Sequence, residues 1–188
     1  MARQSARSEE KRAEILRRAA DLFRRKGFFG SGMREIAEAA GMAPGALYYY
    51  FESKEDLLYA CQRLTLRRLL ATAHDVIASS QAAEDKVRAM VRSHLQETLG
   101  SLGGSFAHIE FHGLDPERLE EVVAERDRYE ACWREVLTEL DANDPKLAAL
   151  TCLGALNWAA VWWRPDGEHT VDDVADSMAG TLLSGVER

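Results

Sequence analysis

Apolar residues recur every three to four positions along almost the whole chain, and no segment shows the two-residue alternation of a strand. The pattern predicts an all-α protein of about nine helices. The first runs from about Ser8 to Lys26, with Ile15, Ala19, Leu22 and Phe23 on one stripe, and Gly27 ends it. A second begins at Ser31 or Gly32 and stops before Gly41, and a short third spans Pro44 to about Tyr50. Ser53 caps a long fourth helix, with Asp56 completing a weak capping box, and that helix continues to about Ala78. A fifth opens at Gln81-Ala82 and closes at Gly100. Past Gly103-Gly104, a short helix is expected over residues 106–112. Asp115-Pro116 and Asp144-Pro145 each put a capping carboxylate before a proline at the first helical position, which starts helices reaching about Asp141 and Trp163. Arg164-Pro165-Asp166-Gly167 reads as a turn, and Thr170-Val171-Asp172-Asp173 as the capping box of a last helix ending near Ser184.

The segment from Met33 to Phe51 carries the most chemistry. Two helices that cross steeply over a tight turn need a small residue where their backbones meet, and Ala37 is there. They need a residue that tolerates positive φ in the turn, and Gly41 is there. Ile36, Met42 and Leu47 are apolar where the pair must share a core with the first helix, and Pro44 pre-sets the first turn of the second member. The pattern predicts a helix-turn-helix, whose second helix would lie in the major groove of DNA. Ala43, Gly45, Ala46, Tyr48 and Tyr49 fall on its exposed side. Small side chains let the helix sit deep, while tyrosines offer hydroxyls to phosphate and rings to thymine methyls. Arg34 is a candidate phosphate clamp, and Lys54 stands at a helix N-terminus where a phosphate is favoured. The plain alternative is a helical hairpin with its tyrosines inside. A run of three tyrosines on so short a helix cannot bury all its rings, so Tyr50 and Phe51 are assigned to the core and Tyr48 and Tyr49 to the surface.

A net charge of −7 argues against a DNA partner only until it is divided. Residues 1–58 hold 11 Lys and Arg against 9 Asp and Glu, and the remainder holds 13 against 22. Within the first 26 residues there are 9 basic groups and 4 acidic ones. Duplex binding requires a local basic surface, and the acidic remainder favours presenting the N-terminal face. Arg3 and Arg7 form a basic arm that suits a minor groove or a phosphate, or else a frayed terminus.

Residues Ala13 to Leu58 resemble the head of the tetracycline-repressor-like (TetR) family, with Phe23, Gly27, Ile36, Ala37, Gly41, Gly45, Leu47-Tyr48-Tyr49-Tyr50-Phe51, Ser53-Lys54 and Leu57-Leu58 carrying the match. The resemblance implies an all-helical homodimer that represses until a small molecule binds its body. It places DNA contacts at Met33, Arg34, Gly45, Ala46, Tyr48, Tyr49 and Lys54. Ala46 stands where the family often has Ser or Thr, and Ala43 supplies no side-chain cap. The expected organisation is a helix-turn-helix domain over residues 1–52 and a helical ligand-binding and dimerisation domain over residues 53–188.

In that body, small residues alternate with large ones over Gly154, Ala155, Ala159, Ala160, Met178, Ala179, Gly180, Leu182 and Leu183, which suits a homodimer built from the last two helices. Three of the four tryptophans lie within Asn157–Gly167. They read either as dimer anchors or as the wall of a pocket for a large amphipathic ligand, with Arg164 supplying charge for a phosphate or carboxylate. The tail resembles that of TetR-like regulators of fatty-acid or steroid breakdown that respond to acyl-CoA thioesters. This implies an acyl-CoA effector, with Asn157, Trp158, Trp162, Trp163 and Arg164 as ligand-binding candidates. His94, His108, Phe111 and His112 are further pocket candidates, with buried or surface structural histidines as the plain alternative. His108 and His112 have metal-ligand spacing, but no third ligand stands nearby, so no metal is expected. The alternative effector is an apolar drug or antibiotic.

The remaining features mainly exclude. No Ser/His/Asp order, phosphate loop or metal triad suggests an enzyme, and no cofactor is expected. Cys61, Cys132 and Cys152 are far apart and odd in number, so they are expected to be reduced and mostly buried. No apolar run reaches the roughly 20 residues of a membrane span, and the N-terminus lacks the pattern of a secretory signal, so no membrane partner and a cytoplasmic site are expected.

Overall fold

The structure is a computed structural model that describes residues 2–100 and 112–186. Eight helices and no strands occur among the described residues: α1 (Ala2–Lys26), α2 (Met33–Ala39), α3 (Pro44–Leu47), α4 (Lys54–Ala78), α5 (Ala83–Leu99), α6 (Pro116–Glu139), α7 (Pro145–Trp162) and α8 (Val171–Gly185). The short helix expected over residues 106–112 lies outside the described residues but for its last position, which is a turn.

The caps read from the sequence are formed. The hydroxyl of Ser53 accepts the Asp56 N–H, Asp115 accepts from Arg118, Asp144 accepts from Leu147, and Thr170 exchanges bonds with Asp173 at both ends of a capping box. The Ser53 box is modified: the Asp56 carboxylate accepts the Glu52 N–H at 3.3 Å. Two ends differ from expectation. α1 begins at Ala2 rather than near Ser8, because residues 2–7 contain no Gly or Pro to stop a helix and include good helix formers. α3 ends at Leu47, and the tyrosines follow in turns held by Tyr50 N–H and Phe51 N–H on the Leu47 carbonyl.

Two hydrophobic cores organise these helices. In the head, Ile15, Phe23, Phe28, Ile36, Leu47 and Phe51 pack together with Leu57, Leu58 and Cys61 from the first two turns of α4. In the body, Leu69, Ala73 and Val76 of α4 pack with Met90, Val91 and Leu95 of α5, Trp133 and Val136 of α6, Leu156 and Ala159 of α7, and Val174 and Ala175 of α8. α4 packs mainly on α6, α5 on α8, and α6 on α7. A single helix therefore belongs to both cores, with Leu57, Leu58 and Cys61 in one and Leu69, Ala73 and Val76 in the other. All three cysteines are free and buried, and burial pushes the Cys61 thiol up to about 12. No described helix is long and apolar enough to cross a membrane.

Candidate nucleic-acid interface and regulatory body

The helix-turn-helix forms as its residues dictate. Gly41 has φ +65°, a conformation that side chains disfavour, and it carries the chain from α2 to α3. Gly27 does the same at the end of α1 with φ +74°. α2 starts at Gly32, which has no side chain to cap with, so Glu35 reaches back to the Gly32 N–H at 3.1 Å. The same carboxylate takes the Lys26 ammonium at 2.5 Å, and that ion pair holds its pKa below the ordinary carboxylate range. The end of α1 is thereby tied to the start of α2.

α3 presents the expected face. Ala43, Gly45 and Ala46 are exposed, Tyr48 is 55% exposed and Tyr49 is 84% exposed. Tyr50 is half-buried, Leu47 and Phe51 are in the core, and the Tyr49 ring meets the Tyr50 ring edge-on at 5.3 Å. A Cβ built on Gly45 would meet nothing within 4 Å. The packing of the head does not itself require a glycine at that position. Arg34 is exposed and Met33 packs half-buried on the core rim. A groove of about 810 Å³ runs from Arg7, Lys11 and Arg17 on α1 to Tyr49 and Tyr50. Glu10 and Glu14 line it as well, and Lys11 pairs with Glu14 at 2.8 Å, so the flank it gives the tyrosine face is mixed, with a small excess of cations.

Lys54 has an occupation that the sequence did not disclose. Its ammonium donates to the carbonyls of Phe28 (2.8 Å) and Ser31 (2.9 Å) and lies 4.3 Å from the centroid of the Phe28 ring. Most of its donors are spent on the α1–α2 loop, so its first role is to fix that loop beside α4. Its charge remains next to the reading face.

The head is joined to the body by more than α4. The backbone at Gly113 is buried against the head: a Cβ there would meet Phe28 ring carbons at 2.5 and 2.7 Å and Leu58 Cδ2 at 2.8 Å. Leu114 packs on the head core beside it. Next to this contact, an ionic clasp links α4 to α6. Arg63 donates to Glu121 (2.6 Å), Glu125 (2.8 Å) and the Tyr59 hydroxyl (2.5 Å), while Tyr59 donates to Glu121. Arg118 approaches Asp56 at 3.8 Å and stands over the Tyr59 ring at 5.3 Å. Neither Gly113 nor Arg63 was a sequence candidate. The Gly-Leu-Asp-Pro string announced a helix start, and nothing local announced what its glycine touches.

In the body, the ligand candidates divide into two groups. His94 is fully buried and stacked on Tyr129 with ring centroids 5.9 Å apart, its Nδ1 lies 3.4 Å from the Tyr129 hydroxyl, and Asn157 of α7 stands close enough to act on it. Desolvation pulls the His94 pKa down to about 4 and pushes Tyr129 well above the usual phenol range. Arg126, one turn before Tyr129 on α6, is half-buried, and desolvation lowers its pKa to about 10. Tyr129, Trp133 and Arg126 thus extend the polar seam that His94 and Asn157 begin. In the sequence they stand only as an i, i+3, i+7 face of one helix.

The tryptophans do not share that interior. Trp158 is 64% exposed and Trp162 47% exposed, on the outer side of α7. They continue an outward stripe of Leu147, Leu150, Gly154 and Val161. One pocket wall made of all three indoles is therefore not present within a chain: helical phase places two rings on the outside. Trp163 is half-buried against the body core, and its Nε1 donates to the His169 carbonyl at 3.1 Å. Arg164 spends its Nη1 on the carbonyls of Val161 (3.0 Å) and Trp163 (3.1 Å), closing the C-terminus of α7, where a cation suits the helix dipole. His112 is exposed, and His108 and Phe111 lie outside the described residues. Among the described residues there is no group of three side chains suited to a metal ion.

An outward reading helix, a flank with a small excess of cations and a separate helical body define a helix-turn-helix transcriptional regulator. The match of a model of bacterial regulatory proteins of the TetR family to residues 15–61, and of one for the tetracyclin repressor-like C-terminal domain to residues 80–186, makes the chain a member of the TetR family. It is 28% identical over 186 residues to the transcriptional repressor KstR2 of Rhodococcus jostii (strain RHA1), covering 94% of this chain and 91% of that protein. The crystal structure of the TetR-family regulator PfmR from Thermus thermophilus superposes with a TM-score of 0.81 at 30% identity, covering 93% of this chain and 99% of that one. A crystal structure of AibR in complex with isovaleryl coenzyme A and operator DNA superposes with a TM-score of 0.78 at 26% identity, covering 92% and 98%. The chain is accordingly a DNA-binding regulator and not an enzyme.

Proposed function

We propose that this protein is a cytoplasmic repressor that binds a palindromic operator as a homodimer and leaves it when an acyl-CoA thioester enters its body. The observation that carries the reading is the Gly45–Tyr49 face. A glycine with open space over it, followed by two exposed tyrosines, is costly on a surface facing only water, but it suits close approach to a duplex. Met33, Arg34, Gly45, Ala46, Tyr48, Tyr49 and Lys54 are assigned to that approach, with Arg34 and the tyrosine hydroxyls on phosphates.

A single short helix reads few base pairs, so specificity requires a second copy. The outward stripe of α7, with Trp158 and Trp162 as its large anchors and Gly154 allowing close approach, supplies the contact, and α8 flanks it. The effector is assigned to the body from His94, Asn157, Tyr129 and Arg126, because a core built only for stability has no use for so much buried polarity. The acyl-CoA class is supported by the overall likeness to AibR, whose crystal structure contains isovaleryl coenzyme A, and to KstR2. The effector acts by favouring one arrangement of the heads; moving a 1:99 equilibrium to 99:1 takes about 5.5 kcal/mol of differential affinity.

A thermal-shift screen of the purified protein against a panel of acyl-CoA thioesters and a panel of apolar drugs tests the effector class. A rise in melting temperature with one or more thioesters, accompanied by release of operator DNA, is expected. Stabilisation and release by apolar drugs alone would replace the acyl-CoA reading with that of a drug sensor.

A further inference from the structure

A cleft of about 450 Å³ separates α1 of the head from the body, and none of the roles above uses it. Its head wall carries Arg17, Arg18 and Arg24, and its body wall carries Trp163 and Pro165 of the turn that follows α7. Two carboxylates, Glu14 and Asp21, also line it, but each is already answered. Lys11 holds Glu14 at 2.8 Å, while Arg24 and Arg25 hold Asp21 at 2.9 and 3.0 Å. Arg17 and Arg18 are exposed and make no hydrogen-bonded ion pair with any described residue; they act on Glu14 only through space. Two uncommitted guanidinium groups therefore face a ring platform that is already fixed, since the Trp163 indole is packed on the body core and its N–H is bonded to the His169 carbonyl.

Paired guanidinium groups suit phosphate oxygens, and an immobilised indole suits the face of a base. The volume falls in the range of small-molecule sites. We propose that this cleft receives the phosphorylated nucleotide end of the effector, with Arg17 and Arg18 on phosphates and Trp163 against the base; this rests on the acyl-CoA reading above. The location supplies a mechanism that a pocket within the body lacks. A ligand gripping α1 with one side and the α7–α8 turn with the other has different contacts in each head orientation, which is what a ligand needs in order to shift that equilibrium. Arg17 also lines the groove beside Tyr49 and Tyr50, so a phosphate in the cleft draws a cation away from the DNA face.

Isothermal titration of the full chain with coenzyme A, ADP, inorganic phosphate and an acyl-CoA tests the assignment, using wild type, Arg18→Gln and Arg18→Glu. Arg18 is exposed, and circular dichroism melts verify that each variant folds. The expected result is binding of coenzyme A and ADP that weakens with salt. Arg18→Gln loses about tenfold, as for one charge-assisted contact, and Arg18→Glu loses more. Coenzyme A affinity equal in all three proteins overturns the cleft assignment while leaving an acyl-CoA effector standing. Binding of coenzyme A and ADP that needs Arg18, without any response to acyl-CoA, supports the cleft and overturns the acyl-CoA reading. Inorganic phosphate binding as tightly as coenzyme A, or no binding of any nucleotide, rejects the nucleotide assignment.

Discussion

At Gly45 stability and function pull in opposite directions. The residue sits in the first turn of α3, where alanine is the better helix former, and its Cβ would touch nothing. Gly45→Ala is expected to leave the head as stable or to stabilise it by up to about 1 kcal/mol, while weakening operator binding at least tenfold. Denaturant melts and fluorescence anisotropy on the same preparation check the two halves. Tyr49→Ala, at an 84% exposed side chain, is expected to behave likewise, with unchanged stability and reduced affinity. His94 makes a prediction about pH. Its folded pKa of about 4 lies below the ordinary 6.5, so the unfolded chain takes up the proton first. The stability contributed by the neutral ring is complete above pH 6.5 and is lost as pH falls towards 4, by on the order of 3 kcal/mol. Carboxylates titrate in the lower part of that window too, so the measurement is the difference between wild type and His94→Gln. The variant is expected to be less stable at pH 7 and to show a flatter decline between about pH 6.5 and 4.5.

Among the elements, the joint between head and body decides whether ligand and DNA can communicate. The segment leading into α6 enters it through Gly113 and Leu114 on the head core, and α6 itself through the Arg63 clasp to Glu121 and Glu125. Arg63→Ala leaves Glu125, which is nearly buried, without its partner, and a loss of about 2 kcal/mol is expected in urea denaturation. Gly113→Ala forces a methyl against Phe28 and Leu58 and should cost about 1–3 kcal/mol. In both variants, effector binding is expected to release DNA less completely than in wild type; release identical to wild type would show that the clasp is only a strut. Most element boundaries were legible in the sequence because caps are local. Ser53, Asp115, Asp144 and Thr170 each bond a backbone N–H three residues away. Gly27 and Gly41 were legible because positive φ favours one residue type. Gly113 was not, because its need for a hydrogen in place of a methyl comes from two side chains 85 and 55 positions earlier. The hold of Lys54 on the α1–α2 loop was not legible for the same reason: a lysine at a helix start suggests an anion, and only the fold brings the Phe28 and Ser31 carbonyls to it.

For the whole molecule, the tryptophan-rich tail shows how phase divides a motif. Asn157 turns inward to His94, Trp158 and Trp162 turn outward one helical turn apart, and Trp163 begins the turn that faces α1. One string of sequence thus serves the interior, the proposed dimer face and the proposed nucleotide cleft, and adjacency alone could not sort them. Replacing Trp158 and Trp162 together by Glu puts charge at the centre of the proposed interface and exposes nothing new within a chain. Light scattering should then report a folded monomer with circular dichroism like that of wild type, and operator affinity should fall by about two orders of magnitude or more. The most direct test of the central claim, that two copies of this head read DNA together, is a hydroxyl-radical footprint on the promoter region the protein binds. The account predicts two protected segments related by a dyad, with centres about 34–36 Å or a multiple of that apart, both disappearing when Tyr49 is replaced by alanine. A single protected segment, or a dyad-related pair that survives Tyr49→Ala unchanged, would contradict it.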